Sequence, residues 1–94
     1  MSHVSDYPHT ACFSVHSGVD PAALPRVMGQ FAKRGLVPSQ WHSTIAGPRG
    51  AELHIDLQVQ GLRPELCEQI ARTLRQMVEV RLVLTSEKRL AISA

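Results

Sequence analysis

Apolar residues take every second position in Ala11, Phe13 and Val15, with Cys12, Ser14 and His16 between them. A period of two marks a strand with one face in a core. The period then changes. Leu24, Val27, Met28 and Phe31 recur at three and four positions, the stripe of an amphipathic helix. Asp20 suits the N-terminus of that helix, Pro21 its first position and Gly35 its left-handed stop. Lys33 and Arg34 complement the negative end of its dipole. Pro25 does not fit a helix running from Asp20, because an interior proline removes a hydrogen bond. Either the helix starts later or its first turn is irregular.

Ser39 to Ala46 reads as a second strand, with Trp41, Ser43 and Ile45 on one face. A turn at Gly47-Pro48-Arg49-Gly50 follows, and Leu53, Ile55, Leu57 and Val59 then alternate with Glu52, His54, Asp56 and Gln58. Residues 39–60 are therefore predicted to form a hairpin. Pro64 opens a second helix, whose stripe is Cys67, Ile70, Ala71 and Leu74, widened by Leu66 and Met77. Val78, Val80, Leu82 and Leu84, alternating with Glu79 and Arg81, predict a fourth strand with those four residues on its apolar face.

The order strand–helix–strand–strand–helix–strand predicts an α+β, ferredoxin-like βαββαβ domain. Its four-stranded antiparallel sheet has both helices on one face and strands one and three at the centre. The domain is expected over 11–85, between a flexible N-terminal tail (1–10) and a C-terminal tail (86–94). The other sheet face is expected to be wet, with Cys12, His16, His42, Thr44, His54, Asp56, Gln58 and Arg81 on it. Glu79 is expected there too.

Ninety-four residues allow one small core. Ten basic residues against eight acidic give a net charge of +2, too balanced to require a polyanion. No apolar run is long enough to span a bilayer. The opening MSHVSDYPHT has neither the basic nor the apolar region of a secretory signal. Cys12 and Cys67 stand far apart and form no CxxC, so both are expected as reduced, largely buried thiols of a cytoplasmic protein.

Catalytic signatures are missing from the sequence. It has no G-x-S-x-G and no glycine-rich phosphate loop. RNA-recognition sheets stack bases on aromatics, yet the third strand has none and Phe13 falls in the core-facing set. Nucleic-acid binding is not expected. His42, His54 and Asp56 share the wet face, and His42 and His54 become neighbours in some registers. They are read as solvated strand residues, since a metal needs three or four fixed ligands. A metal-dependent hydrolase built on these three is the weakest alternative, and no metal, cofactor or catalytic residue is expected. The junction between strand one and helix one offers free N–H groups that suit a carboxylate, unless Asp20 satisfies them itself.

Two stretches carry a family resemblance. Asp20-Pro21-Ala22-Ala23-Leu24-Pro25-Arg26-Val27 with Phe31-Ala32-Lys33-Arg34-Gly35-Leu36 resembles the ACT domain of acetohydroxyacid (acetolactate) synthase small subunits. Leu74-Arg75-Gln76-Met77-Val78-Glu79-Val80 is similar to the family segment that leads into the last strand. The resemblance covers about residues 11–85 and is greatest to the short, one-domain type. It implies a non-catalytic homodimer that binds a branched-chain amino-acid effector. It also implies activation of a separate catalytic subunit of acetohydroxyacid synthase, one that uses thiamine diphosphate. The effector site it implies falls on Gly18, Val19, Asp20, Ala22 and Ala23. Val19 stands where the family has Asn, and Ala22 where it has Gly. Asp20 adds a carboxylate where the effector's own would lie. The resemblance therefore implies a weakened or absent feedback site. The alternative is a stand-alone amino-acid sensor that regulates another metabolic enzyme.

Overall fold

The computed structural model describes residues 7–89. Six main elements follow in order: β1 (His9–Gly18), α1 (Ala23–Ala32), β2 (Gln40–Ala46), β3 (Glu52–Gln60), α2 (Pro64–Arg75) and β4 (Val80–Arg89). A single 3₁₀ turn, Pro48–Gly50, closes the β2–β3 hairpin. The sheet is antiparallel in the order β2-β3-β1-β4, so strands one and three are central, as the topology rules predict. This is the ferredoxin-like βαββαβ fold.

The core lies between the sheet and the two helices. Ala11, Phe13 and Val15 of β1 and Leu53, Ile55, Leu57 and Val59 of β3 meet Val27 and Phe31 of α1 and Ile70, Ala71 and Leu74 of α2. The Phe13 and Phe31 rings pack edge to face with centroids 5.1 Å apart, the arrangement that opposed ring quadrupoles favour. Trp41, Leu66, Cys67 and Met77 are partly buried at the margin. Met28, on the predicted stripe of α1, is exposed, and Ala23 takes a buried place instead.

The start of α1 settles the position of Pro25. The helix begins at Ala23, so Pro25 is its third residue. An N–H there has no intrahelical acceptor, and its loss costs nothing. The first i→i−4 bond runs from Arg26 N–H to the Ala22 carbonyl at 3.1 Å. At the other end Arg34 Nη1 donates to the Gln30 carbonyl at 2.6 Å. Gly35 takes φ +72° and lets Leu36 N–H reach back to Phe31 at 3.0 Å.

Three expectations need correction. The sheet outruns 11–85 at both ends: β1 starts at His9 and β4 continues to Arg89, with His9 opposite Arg89. Of the expected tails, 1–6 and 90–94 lie outside the described residues. Tyr7 donates a hydrogen bond to Glu87 at 2.7 Å, which ties the N-terminal approach to the end of β4. Second, the apolar face of β4 has the opposite phase from the one predicted. Ser17 pairs with Val80 but His16 pairs with Leu82, so Arg81 is an extra residue, a β-bulge. Beyond the bulge Val83 enters the core (3% exposed), while Leu82 and Leu84 are 42% and 54% exposed. Val78 lies before the strand and is exposed. Third, Glu79 is not on the wet face. Its side chain is only 7% exposed and pairs with Arg26 of α1.

Candidate functional site

Two places on the fold bring polar chemistry together. The first is the β1–α1 junction. Gly18 ends β1, opposite Glu52, and its N–H donates to the Glu79 carbonyl at 3.0 Å. Val19, Asp20 and Ala22 are exposed, whereas the Ala23 side chain is buried in the core and leaves only backbone to a ligand. Asp20 works twice. Its carboxylate Oδ1 accepts the Ala22 N–H at 2.9 Å, and its carbonyl accepts the Ala23 N–H at 2.9 Å. Two N–H groups that would greet an anion are thus already occupied by the chain itself.

Three charged residues that sequence reasoning left out of this junction frame it. Arg26 and Glu79 form an ion pair whose carboxylate end is enclosed and whose guanidinium end is 59% exposed. The second carboxylate oxygen of Glu79, Oε1, is buried with no hydrogen-bond partner. Arg81, the bulge residue, passes 3.5 Å from where a Cβ on Gly18 would stand. Periodicity signalled none of these, because the bulge and the turn before it decide where Glu79 and Arg81 point.

The second place is the open sheet face. An open trough of about 830 Å³ runs across it, lined by Cys12, Ser14, His42, Asp56, Gln58 and Leu84 among others. The registers place His42 opposite Asp56 and Thr44 opposite His54, so His42 and His54 are diagonal rather than paired. His42 Nε2 instead lies 3.0 Å from Thr44 Oγ1 on its own strand. His16 is directly opposite His54, and the two rings stack with centroids 3.9 Å apart and planes 14° apart. His54 Nε2 lies 2.9 Å from Glu52 Oε1. That hydrogen bond, with smaller electrostatic help from His54, Arg81 and His16, holds the Glu52 carboxyl below its usual value. The His42–His54–Asp56 grouping considered from sequence is not the one the fold assembles. Among the described residues, His16, Glu52 and His54 have their donor atoms within one another's reach.

The thiols are free. Cys12 lies on the trough side and Cys67 on α2, each half-buried. Burial raises the pKa of Cys67, with nearby acidic groups adding to it. Among the described residues no helix is long and apolar enough to cross a membrane.

Comparison with known proteins agrees with this architecture. At 10% identity and TM-score 0.68, the chain superposes on the ACT domain of a GTP pyrophosphokinase from Chlorobium tepidum, covering 82% of this chain and 96% of that one. The C-terminal domain of the MgtC protein from Mycobacterium tuberculosis superposes with TM-score 0.70 at 14% identity, covering 96% and 98%. The regulatory subunit of aspartate kinase from Thermus thermophilus superposes with TM-score 0.64 at 12% identity, over 86% of this chain and 52% of that one. These likenesses show a shared fold. No curated protein matches the sequence. A family model described as an ACT-like domain matches residues 5–91, nearly the whole length, and the chain belongs to the ACT-like domain family.

Proposed function

We propose that this chain is a non-catalytic regulatory module that responds to a small molecule and acts on a separate catalytic partner. The match of an ACT-like domain model to residues 5–91 carries this reading.

The finer proposal concerns the partner. The stretches 20–36 and 74–80 resemble acetohydroxyacid synthase small subunits, and the proposed role is activation of that synthase as a homodimer in the cytoplasm. Amino-acid feedback would be weak, because Asp20 occupies the N–H groups of Ala22 and Ala23. Co-purification with the catalytic subunit and stimulation of its turnover are the expected results. No association and no stimulation would overturn the partner assignment.

A second reading is a stand-alone amino-acid sensor for another enzyme. The buried, unpartnered Oε1 of Glu79 favours it, because an enclosed acceptor beside the junction suits a ligand that brings an N–H donor such as an ammonium group. Calorimetry with a panel of amino acids separates the two readings: saturable binding by the chain alone supports the sensor, and silence supports the activator.

A further inference from the structure

The cluster on the open face belongs to neither reading. His16 and His54 are a directly opposed cross-strand pair, and Glu52 stands two residues before His54 on the same face of β3. All three side chains are half-buried and anchored on the two central strands, so their backbones are fixed by pairing on both sides. Their donor atoms lie within 4.8 Å of one another. We propose that His16, His54 and Glu52 form a binding site for a divalent first-row transition-metal ion such as zinc.

The donor set fits that class of ion. Two imidazoles and one carboxylate leave a fourth position for water. Hard ions that prefer six or more oxygens find too few here. A tetrahedral ion with bonds of about 2.0 to 2.2 Å holds its ligand atoms roughly 3.3 Å apart. His54 Nε2 and Glu52 Oε1, at 2.9 Å, already stand near that spacing. Their shared proton lies where the ion would sit. His16 would turn its ring out of the stack and exchange the 3.5 Å contact of its Nε2 with Ser14 Oγ for the ion.

The charges around the cluster set its character. Glu52 contributes one negative charge and the imidazoles bind as neutral rings, so protons compete with the metal. Arg81, whose charge acts on Glu52, is the resident cation there and opposes the entering ion. The site is therefore expected to be reversible rather than structural. It joins β1 to β3 and does not contribute to the core on the other face of the sheet.

The test uses the tag-free full chain, stripped with a chelator and titrated with zinc chloride by calorimetry near neutral pH. One ion per chain is expected. Affinity should fall at least about tenfold in His16→Gln, in His54→Gln and in Glu52→Gln, and stay unchanged in His42→Gln. Arg81→Gln should tighten binding. In the wild-type chain, NMR should show the imidazole signals of His16 and His54 shifting with zinc while those of His42 stay still. Absence of saturable binding would overturn the proposal. So would binding that persists without His16 and His54, or zinc shifts confined to His3 and His9. The NMR arm reads the unmutated protein, so its outcome holds even where a variant folds poorly.

Discussion

At the scale of single residues, the Arg26–Glu79 pair joins folding to the candidate effector junction. Its carboxylate is enclosed and its guanidinium is mostly in water. Arg26→Ala would strand a buried charge with neither oxygen satisfied. We expect a loss of about 1 to 2 kcal/mol in urea unfolding, the low part of the range for such groups because the arginine end is solvated. The double change Arg26→Met with Glu79→Leu should recover much of that loss. Glu52 gives a pH signature. Its folded pKa is depressed, so its contribution is present above the ordinary value of 4.5 and is lost as pH falls through the lower folded value. Glu52→Gln should therefore flatten the acid limb of a plot of stability against pH, read from thermal unfolding between pH 6 and the acid transition. Cys67, with its raised pKa and partial cover, should react with iodoacetamide at pH 8 more slowly than a free cysteine does, as mass spectrometry would show.

At the scale of elements, β4 teaches the most. Its residues Val80, Leu82 and Leu84 carry a strand period, and reading that period straight through puts all three in the core. One extra residue, Arg81, turns the strand over, so that Val83 is buried and Leu82 and Leu84 face outward. The two phases make opposite forecasts. Val83→Ala should cost about 2 kcal/mol through lost burial and a cavity, and Leu84→Ala should stay within about 0.5 kcal/mol. The reverse ranking in denaturant unfolding would restore the unbroken phase. By contrast β3 was legible from spacing alone, because one face of it is buried without interruption, and so were the buried Val27 and Phe31 of α1 and Ile70, Ala71 and Leu74 of α2, although Met28 of the α1 stripe is exposed. Pro25 was legible as a conflict but not as a solution. Its harmlessness depends on the helix starting at Ala23, a start that the Asp20 hydrogen bonds favour.

At the scale of the whole molecule, the fold has one covered and one open sheet face, with β2 and β4 at unpaired edges. Leu82 and Leu84 expose apolar surface along the β4 side of the open face. We expect this side to take part in the proposed self-association, and Leu82→Glu with Leu84→Glu should shift the chain toward monomer in sedimentation without loss of helical signal. The candidate effector junction is at one end of the central strand β1, which also carries His16 three residues earlier than Val19. The proposed regulatory readings bear on that end. Val19→Asn with Ala22→Gly is expected to raise affinity for a branched-chain amino acid in calorimetry. No gain would place the pocket elsewhere.

Local chemistry decided the order of elements, the identity of most core residues and the layered fold, because hydrophobic period, helix caps and turn residues act within a few positions of one another. The meeting of His16 with His54, the turning of β4 and the burial of Glu79 were decided only when distant strands paired. Register and bulges arise from which backbone groups face each other across the sheet, and a period of two is the same in every register.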